Sequence, residues 1–540
     1  MENTHLHDEL SRNSDRITVN TAFGPVTGGR AANGAGAFLE IPYALPPRRF
    51  EDPESLPKDF RYEEKDYIQE ATYGVQPTND GQARDTPFED KVGLGKPSEN
   101  PLFLNIITPP SFPTKKGFPV KIYIHGGFLQ FGSPHSLGSQ PQYVAAERGE
   151  VWVNIGYRLS AFGFLASDKP KISGNYGFKD QWLALKWIKS NIEAFGGNPN
   201  DIQLSGLSAG AHALHQILHY ASHLPDGEDA PFHSAVLQSN AILTDPKTPK
   251  ELRLQFEALC HALRLDPYAP DILTTLKDPV KTPWSSITHV IETDTLGHYG
   301  TFRGCLSEDW LPVSPGLMEW QRSGGLAEGL KAHGVKSIAV GDLAEEWYLY
   351  SIAHPIKSPR DIVPNLERYF PVDVVTNLMR RYKNLPDDAS SEESQRLFGD
   401  ILSCVQVHLP VRLFIRDLQA ANFPVLRYEV RWTPEQNRTE GIFPRIIFSL
   451  YSYVTHGSDR CLWAFRLPNL TKEQVEITKR WLNRFFEELK TLEKEGKSSS
   501  GLKTVLALRE DRTIGWDLDE KWDRLMSLRD ILPGEKIAFL

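Results

Sequence analysis

The sequence is poor in cysteine, with four among 540 residues. Cys260, Cys305, Cys404 and Cys461 lie far apart and show no CxxC spacing, which excludes the disulfide framework of small secreted domains. We expect four reduced, buried thiols. The N-terminus lacks the apolar core of a signal peptide, and no run of about 18 apolar residues follows it. These absences predict a cytoplasmic protein without a transmembrane segment.

An excess of positive charge is also missing. Lys and Arg total 60 against 69 Asp and Glu, so the formal net charge is -9 and the chain lacks the basic footprint of a nucleic-acid binder. Internal repeats, which build solenoids and propellers, are absent. Hydrophobic residues at 40% are enough for a large core. We therefore predict a single domain over residues 17–540, preceded by a disordered N-terminal tail of residues 1–16.

The clearest organisation lies between residues 118 and 222. Residues 118–124 and 150–155 are short apolar runs that end in Gly-rich or polar turns, as buried strands of a parallel sheet do. Apolar residues then recur at helical spacing over 178–194, and a Gly-Gly-Asn-Pro turn stops them. A brief strand at 202–205 precedes a second helical pattern. This succession of strand, sharp turn and helix is typical of an α/β fold.

Two glycine-rich motifs carry the chemistry. GLSAG at 206–210 fits G-x-S-x-G, in which a serine lies at a strained turn between a strand and a helix. HGGF at 125–128 follows the first predicted strand, where such enzymes place main-chain N–H groups that stabilise an oxyanion. Either motif alone also occurs in ordinary glycine turns. Together, and in this order, they favour Ser208 as a nucleophile.

Other segments occur in the order of a known family. They are FLEIPYA at 38–44 with PP at 46–47, ENPLFLN at 99–105, NIGYRL at 154–159 with FGFL at 162–165, GNYG at 174–177 and AFGGNP at 194–199. With these motifs the chain resembles the type-B carboxylesterase and cholinesterase family, and within it the intracellular carboxylesterases of fungal type. The resemblance implies an α/β-hydrolase fold. Its central, mostly parallel, twisted sheet is flanked by helices, and large insertions form the active-site gorge.

The same resemblance implies the site residues. The family's acid follows a short strand, and Glu346 takes that place, with the neighbouring Glu345 as the alternative. The family's histidine opens an H-G-x-E/D motif, here HGSD at 456–459, so His456 is the implied general base. The chain order Ser208, Glu346, His456 is that of α/β-hydrolases. The implied oxyanion hole consists of the main-chain N–H groups of Gly127, Phe128 and Ala209.

Two departures from the family bear on the substrate. Leu207 stands where a glutamate usually precedes the serine, so the anionic group beside the nucleophile is missing. Between Ala71 and Pro101 both cysteines of the family's early disulfide loop are absent, which suits a reducing compartment. The same loop contains no tryptophan to hold the cation of a choline ester. We therefore expect neutral esters to be preferred over choline esters.

We expect a serine carboxylesterase that hydrolyses small-molecule esters through a Ser-His-Glu triad and an acyl-enzyme intermediate, as a monomer or a homodimer. The alternatives are lactone or amide hydrolysis or acyl transfer by the same triad. A non-catalytic scaffold homologue is disfavoured because the triad is complete. His215, His219 and His223 recur along the helix after the serine, but no cysteine or carboxylate joins them at ligand spacing. We expect neither a metal nor a cofactor.

Overall fold

The structure, a computed structural model, describes residues 4–78, 87–440, 453–498 and 500–535. Fourteen strands lie within these ranges. They are β1 (Arg16–Thr21), β2 (Gly24–Arg30), β3 (Gly36–Pro42), β4 (Thr72–Gly74), β5 (Lys96–Ser98), β6 (Phe103–Thr108), β7 (Phe118–Ile124), β8 (Val151–Ile155), β9 (Gly197–Leu207), β10 (Ser234–Gln238), β11 (Ser337–Leu343), β12 (Val425–Val430), β13 (Thr504–Leu508) and β14 (Ile514–Leu518).

Twelve of these strands form one sheet, in the order β1-β2-β3-β6-β8-β7-β9-β10-β11-β12-β13-β14. Neighbouring strands from β8 to β13 run parallel, and the remaining pairs are antiparallel. The large, mostly parallel sheet expected of an α/β-hydrolase is therefore confirmed. Because parallel strands end at a common edge, the segments after β7, β9 and β11 come together there.

The helices cover both faces of the sheet. Within the described ranges they are α1 (Leu6–Arg12), α2 (Phe88–Val92), α3 (Gln142–Arg148), α4 (Ser160–Phe164), α5 (Tyr176–Asn191), α6 (Ala209–Ala221), α7 (Arg253–Ala262), α8 (Ile272–Lys277), α9 (Trp284–Glu292), α10 (Leu317–Arg322), α11 (Gly325–Ala332), α12 (Trp347–Ser351), α13 (Ile362–Leu366), α14 (Val372–Met379), α15 (Ser391–Ser403), α16 (Leu409–Ala420), α17 (Glu435–Glu440), α18 (Arg460–Trp463), α19 (Lys472–Glu495) and α20 (Trp522–Met526).

Two apolar cores lie on opposite faces of the sheet, because successive side chains of a strand point to opposite faces. In β11, Ile338 and Val340 belong to the larger core and Ala339 to the smaller one. Helices α5 and α6 pack into the larger core, and α19 packs into the smaller one. Burial on both faces explains why these strands read as continuous apolar runs in the sequence.

The segments predicted around the serine motif are present, with one extended strand. β7 has the predicted bounds, and α5 is followed by a 3₁₀ turn at Ile192–Phe195. The strand predicted at 202–205 is part of the longer β9. Phe118 of β7 pairs with Gly197, and an irregularity separates this pair from the regular register that starts at Val120 and Ile202. The Gly-Gly-Asn-Pro segment thus ends a helix and begins a strand.

The N-terminus differs from the disordered tail predicted for residues 1–16. Leu6–Arg12 form helix α1, and Arg16 begins β1. Leu6 and Leu10 are 3% and 0% exposed and belong to the smaller core. These leucines, four residues apart, share one helix face, and the polar residues around them concealed this short apolar stripe. Residues 1–3 lie outside the described residues.

One helical stretch, Ser391–Ala420, is long and apolar enough to cross a membrane by length and composition alone. It consists of α15, a π-helical segment at Cys404–His408, and α16. In the most apolar 18-residue segment of this stretch, 94% is buried inside the fold, as is typical of a helix in the core of a protein. The four cysteines are also buried, and none forms a disulfide.

Candidate active site

Ser208 occupies the sharp turn between β9 and α6. Its backbone has φ 60° and ψ -122°, a positive-φ conformation that costs a non-glycine residue on the order of 1–3 kcal/mol. Its N–H donates to the main-chain oxygen of Gln238 at the end of β10 (2.8 Å), and its carbonyl accepts from the N–H of His212 (2.9 Å). The neighbouring strand and the first turn of the helix therefore hold the strained conformation in place.

Gly206 and Gly210 flank this turn where backbone segments pass closely. A Cβ at Gly210 would lie 2.1 Å from the main-chain oxygen of Ile124, at the end of β7. A Cβ at Gly206 would lie 2.6 Å from the main-chain carbon of Gly210. Both distances are shorter than any ordinary Cβ contact, so both glycines of the motif are sterically required.

His456 and Glu346 form a buried hydrogen-bonded pair. Nδ1 of His456 lies 2.6 Å from Oε2 of Glu346, and the two residues are 3% and 0% exposed. Oε1 of Glu346 accepts from the N–H of Leu343 (2.9 Å), which fixes the carboxylate to the end of β11. Because a carboxylate only accepts, Nδ1 carries the proton and Nε2 carries the lone pair.

Glu345, the alternative acid, faces a different partner. Its N–H donates to the main-chain oxygen of Val454 (3.1 Å), and its carboxylate accepts from the N–H of Val454 (3.0 Å). Glu345 therefore connects the end of β11 to the segment that carries His456. Of the two adjacent glutamates, Glu346 is the one whose carboxylate contacts the imidazole.

Ser208 and His456 line the same cavity, which has a volume of about 260 Å³. Leu207 and the glycines at 126–127 line it as well. Nε2 of His456 is buried and makes no hydrogen bond with any described residue, so it is not yet bonded to the Ser208 hydroxyl. Such catalytic hydrogen bonds are often long without substrate and shorten when substrate binds.

The loop after β7 presents main-chain N–H groups to this cavity. Gly127 has φ +115°, and a Cβ there would lie 2.0 Å from the main-chain oxygen of Phe131, so only glycine fits. Phe128 and Leu129 follow with φ 56° and 66°. Among the described residues, the N–H groups of Gly127, Phe128 and Ala209 have no main-chain acceptor. Of these three residues, Gly127 and Phe128 line the cavity, and Ala209 directly follows Ser208.

The side chain of Phe128, which takes the place of a glycine in the family's loop, packs among other rings. Its centroid lies 6.2 Å from those of Phe131, Tyr350 and Tyr369, and 6.4 Å from that of His354. The phenyl group therefore forms part of an aromatic wall beside the serine. It narrows the cavity on that side.

The comparisons with known proteins show the family of this chain. The sequence model of the carboxylesterase family matches residues 15–315. An uncharacterized esterase/lipase of Schizosaccharomyces pombe is 31% identical over 517 residues, which cover 90% of each chain. The chain belongs to the carboxylesterase family. A carboxylic ester hydrolase of Gibberella moniliformis is 30% identical over 72% of this chain and 73% of its own. The protein is accordingly a carboxylic ester hydrolase.

The fold of this carboxylesterase is also found among solved structures. A PNB esterase superposes with a TM-score of 0.70 over 95% of this chain and 100% of its own, at 22% identity. A thermophilic PNB esterase superposes with a TM-score of 0.72 over the same shares. At this level of identity the likeness establishes the α/β-hydrolase fold.

Two residues that the sequence did not single out interact with the His456–Glu346 pair, Tyr350 by ring contact and Asp459 through its charge. Tyr350 packs its ring edge-on against His456, with centroids 5.2 Å apart. Asp459 is buried, and burial raises the pKa of its carboxyl group to about 6, while its Oδ2 accepts from the indole N–H of Trp463 (2.7 Å). Asp459 is the last residue of the HGSD motif, and this position in the motif is the sequence feature from which it could have been identified.

On α6, His215 is hydrogen-bonded within the fold, whereas both ring nitrogens of His219 are buried without a hydrogen-bond partner among the described residues. Nε2 of His215 lies 2.9 Å from the amide oxygen of Gln321, and Nδ1 accepts from the N–H of Ile242 (2.9 Å). His219 stacks on His215 with ring centroids 5.1 Å apart. No group of three or more His, Cys, Asp or Glu side chains suited to a metal ion occurs in the part of the chain that the structure describes.

His125, the first residue of the oxyanion loop, predicts how the carboxylesterase responds to acid. Burial lowers the pKa of His125 to about 4, while its Nδ1–H donates to the main-chain oxygen of Gly126 (2.9 Å) and its ring stacks on Tyr157 (4.6 Å). In the unfolded chain the pKa is about 6.5, so between pH 6.5 and pH 4 only the unfolded state binds this proton. The contribution of His125 is fully present above pH 6.5 and is lost as the pH falls to 4.

Replacing His125 with phenylalanine, which keeps a ring against Tyr157, should therefore flatten the pH dependence of stability. We expect the slope of the unfolding free energy between pH 6.5 and pH 4 to fall by up to about 1.4 kcal/mol per pH unit, the value for one proton. Urea unfolding of both proteins at four pH values measures it. Equal slopes in the two proteins would contradict the prediction, whatever the variant's absolute stability.

Proposed function

We propose that the protein hydrolyses carboxylic esters with Ser208 as nucleophile, His456 as general base and Glu346 as the residue that orients the histidine. The observation that carries the proposal is the 2.6 Å hydrogen bond between His456 and Glu346, at the cavity that His456 and Ser208 both line. Nε2 of His456 has no hydrogen-bond partner among the described residues. An imidazole with its proton on Nδ1 and its lone pair facing a serine is suited to accept the hydroxyl proton.

Each step assigns one task to a residue of this chain. His456 removes the proton of Ser208 as its oxygen attacks the ester carbonyl, and Glu346 stabilises the imidazolium that forms. The imidazolium then gives its proton to the departing alkoxide. The alcohol is released, and the acyl group remains bound to the oxygen of Ser208. Water, activated by His456 in the same way, releases the acid and restores the serine.

The negative charge on the carbonyl oxygen requires donors that are already in position. The N–H groups of Gly127, Phe128 and Ala209 are proposed to supply them. Removal of one such donor in other enzymes slows turnover by about 100- to 1,000-fold. Gly127, at φ +115°, turns this loop without the strain that a side chain would add.

A fluorophosphonate, which reacts with activated serine hydroxyls, tests the nucleophile. We expect one adduct per chain, and peptide mass spectrometry should locate it on Ser208. Reaction of the wild-type protein with p-nitrophenyl butyrate then tests ester hydrolysis in the same preparation. An adduct on another serine, or no adduct from a protein that hydrolyses the ester, would contradict the assignment.

The charged groups of the cavity predict a substrate preference. Leu207 leaves no carboxylate beside Ser208, and Arg460 lines the cavity together with Lys91 and Arg466, against the single carboxylate of Asp90 among the described lining residues. Phe88 lines it as well, but residues 79–86 of the loop that carries it lie outside the described residues.

Because these charges disfavour a cation, neutral esters should be hydrolysed at least as well as choline esters. We expect the kcat/KM for butyrylcholine to be no greater than that for 3,3-dimethylbutyl butyrate, its uncharged analogue of the same shape. In a site built for choline, cation–π contacts of about 0.5–2 kcal/mol each would favour the cation about tenfold or more. A tenfold preference for butyrylcholine would contradict the prediction.

A further inference from the structure

Arg303 is a largely buried arginine that has no carboxylate partner among the described residues. Its Nη2 lies 3.5 Å from Nδ1 of His212, at the limit of a hydrogen bond, and its guanidinium lies 5.1 Å from the ring centroid of Tyr369. Burial lowers the pKa of Arg303, yet a guanidinium stays protonated in proteins. A buried charge is costly unless it is paired, so this position calls for an anion that the protein does not supply.

The side chain of Arg303 faces a cavity of about 320 Å³. Nε and Nη1 have no hydrogen-bond partner among the described residues, and neither is sealed from solvent. These N–H groups therefore remain available to a ligand in the cavity that Arg303 lines. His212 and Tyr369 also line it, so the contacts that hold the guanidinium belong to the cavity wall.

Two further cations line the same cavity but are engaged. Nζ of Lys247 donates to the main-chain oxygen of Glu367 (3.2 Å). Nη2 of Arg368 lies 3.2 Å from a carboxylate oxygen of Asp294. Arg303 thus differs from its basic neighbours, because Lys247 and Arg368 have acceptors within the fold.

Three carboxylates also line the cavity, and none pairs with Arg303 among the described contacts. Oδ1 of Asp245 accepts from the N–H of Met318 (2.7 Å). Oε2 of Glu251 accepts from the N–H and the hydroxyl of Thr248, and Glu251 is exposed at the rim. The carboxyl group of Glu367 lies beyond ion-pair distance of Arg303. His298 also lines the cavity, and burial lowers its pKa, which disfavours a positive charge on its ring.

This cavity adjoins the catalytic one. His212 lies in the first turn of α6, and its N–H donates to the main-chain oxygen of Ser208 (2.9 Å). Because His212 also contacts Arg303, the guanidinium lies on the order of 10 Å from the serine hydroxyl. Phe128 lines the catalytic cavity and Tyr369 lines the other, and their rings meet with centroids 6.2 Å apart. A ligand group at Arg303 is within the length of an acyl chain attached to Ser208.

We propose that Arg303 binds a carboxylate group in this cavity, as an anion-binding subsite beside the catalytic serine. The planar guanidinium offers paired N–H donors that match the two oxygens of a carboxylate. That carboxylate is either the distal group of an ester substrate that reaches past Phe128 and Tyr369, or a separate small carboxylate. The first source rests on the proposed function, and the second does not.

The substrate source is tested with two esters of the same length, methyl hydrogen suberate and methyl octanoate, of which only the first carries a distal carboxylate. We expect Arg303→Met to lower the ratio of their kcat/KM values about 10- to 100-fold, the range for a charge-assisted pair, while methyl octanoate is hydrolysed at the wild-type rate. Arg368→Met is the matched control, since Arg368 lines the same cavity but is already paired with Asp294.

The second source is tested by calorimetric titration of the wild-type protein and Arg303→Met with adipate and with neutral adipamide. We expect adipate to bind to the wild-type protein and adipamide not to bind. Adipate should bind at least tenfold more weakly to Arg303→Met than to the wild-type protein, and about as tightly to Arg368→Met as to the wild-type protein. Arg303→Gln replaces Arg303→Met in both measurements if the methionine variant does not fold.

If Arg303→Met lowers the kcat/KM ratio of the two esters, the carboxylate belongs to the substrate. If Arg303→Met weakens adipate binding but leaves the ester ratio unchanged, the carboxylate belongs to a separate ligand. Both outcomes support the subsite. An unchanged ester ratio together with adipate binding that is absent or independent of Arg303 overturns it. Failure of the wild-type protein to hydrolyse methyl octanoate counts against the proposed function, and the adipate titration still decides the subsite.

Discussion

Ser208→Ala is expected to lower kcat for p-nitrophenyl butyrate by about four orders of magnitude or more and to abolish fluorophosphonate labelling. Without the hydroxyl, His456 has no nucleophile to activate, and only binding and the oxyanion donors remain to assist attack by water. A φ of 60° costs alanine about as much conformational energy as it costs serine, so the conformation of the turn and the melting temperature should change little.

Ser205→Ala provides the matched control for this variant. Ser205 lies three residues earlier on β9, and its hydroxyl donates to the main-chain oxygen of Ile122 (2.9 Å). The control should lose some stability, on the order of 1 kcal/mol for one buried hydrogen bond, and keep its labelling. Labelling that persists in folded Ser208→Ala would falsify the assignment of the nucleophile.

Glu346→Gln should lower kcat by about 10,000-fold while the fold survives, because the amide reverses the tautomer of His456. The glutamine oxygen is needed to accept from the N–H of Leu343, as Oε1 of Glu346 does at 2.9 Å. Its NH₂ group then faces Nδ1 of His456, which must accept, so the ring proton moves to Nε2. A protonated Nε2 is unable to take the proton of Ser208.

Glu345→Gln is the control for this second variant, since it changes the same group one residue away. Its carboxylate accepts from the N–H of Val454, and a glutamine oxygen can do the same. We expect less than a tenfold change in kcat. Steady-state kinetics with p-nitrophenyl butyrate and melting temperatures for both variants check the pair. A larger loss in Glu345→Gln than in Glu346→Gln would mean that the acid is misassigned.

The strained turn at Ser208 and the glycine loop after β7 could be predicted because their requirements are local. A serine at positive φ between a strand and a helix needs small neighbours, and a side chain at Gly206 would collide with the main chain of Gly210, four residues later. Gly127 is required in the same way by the oxygen of Phe131, four residues later. Constraints of this kind act over a few residues, so they leave a readable pattern.

The choice between Glu345 and Glu346 could not be made from their sequence surroundings alone. The two are adjacent and chemically identical, and their partners, Val454 and His456, lie about 110 residues away. The docking of α1 was missed for a related reason. Two leucines are too few to mark a helix by periodicity, and their burial depends on contacts with distant strands.

The sequence by itself determined the parallel sheet, the position of the strained serine turn and the glycine loop after β7, because each depends on side-chain size and apolar periodicity along a short stretch of chain. The tertiary structure alone decided which glutamate reaches His456, where the ring of Phe128 packs, and that Arg303 lies beside His212 with no carboxylate partner in the part of the chain that the structure describes. Those facts depend on contacts between side chains that lie 91 to 241 positions apart in the chain, which local sequence patterns do not relate.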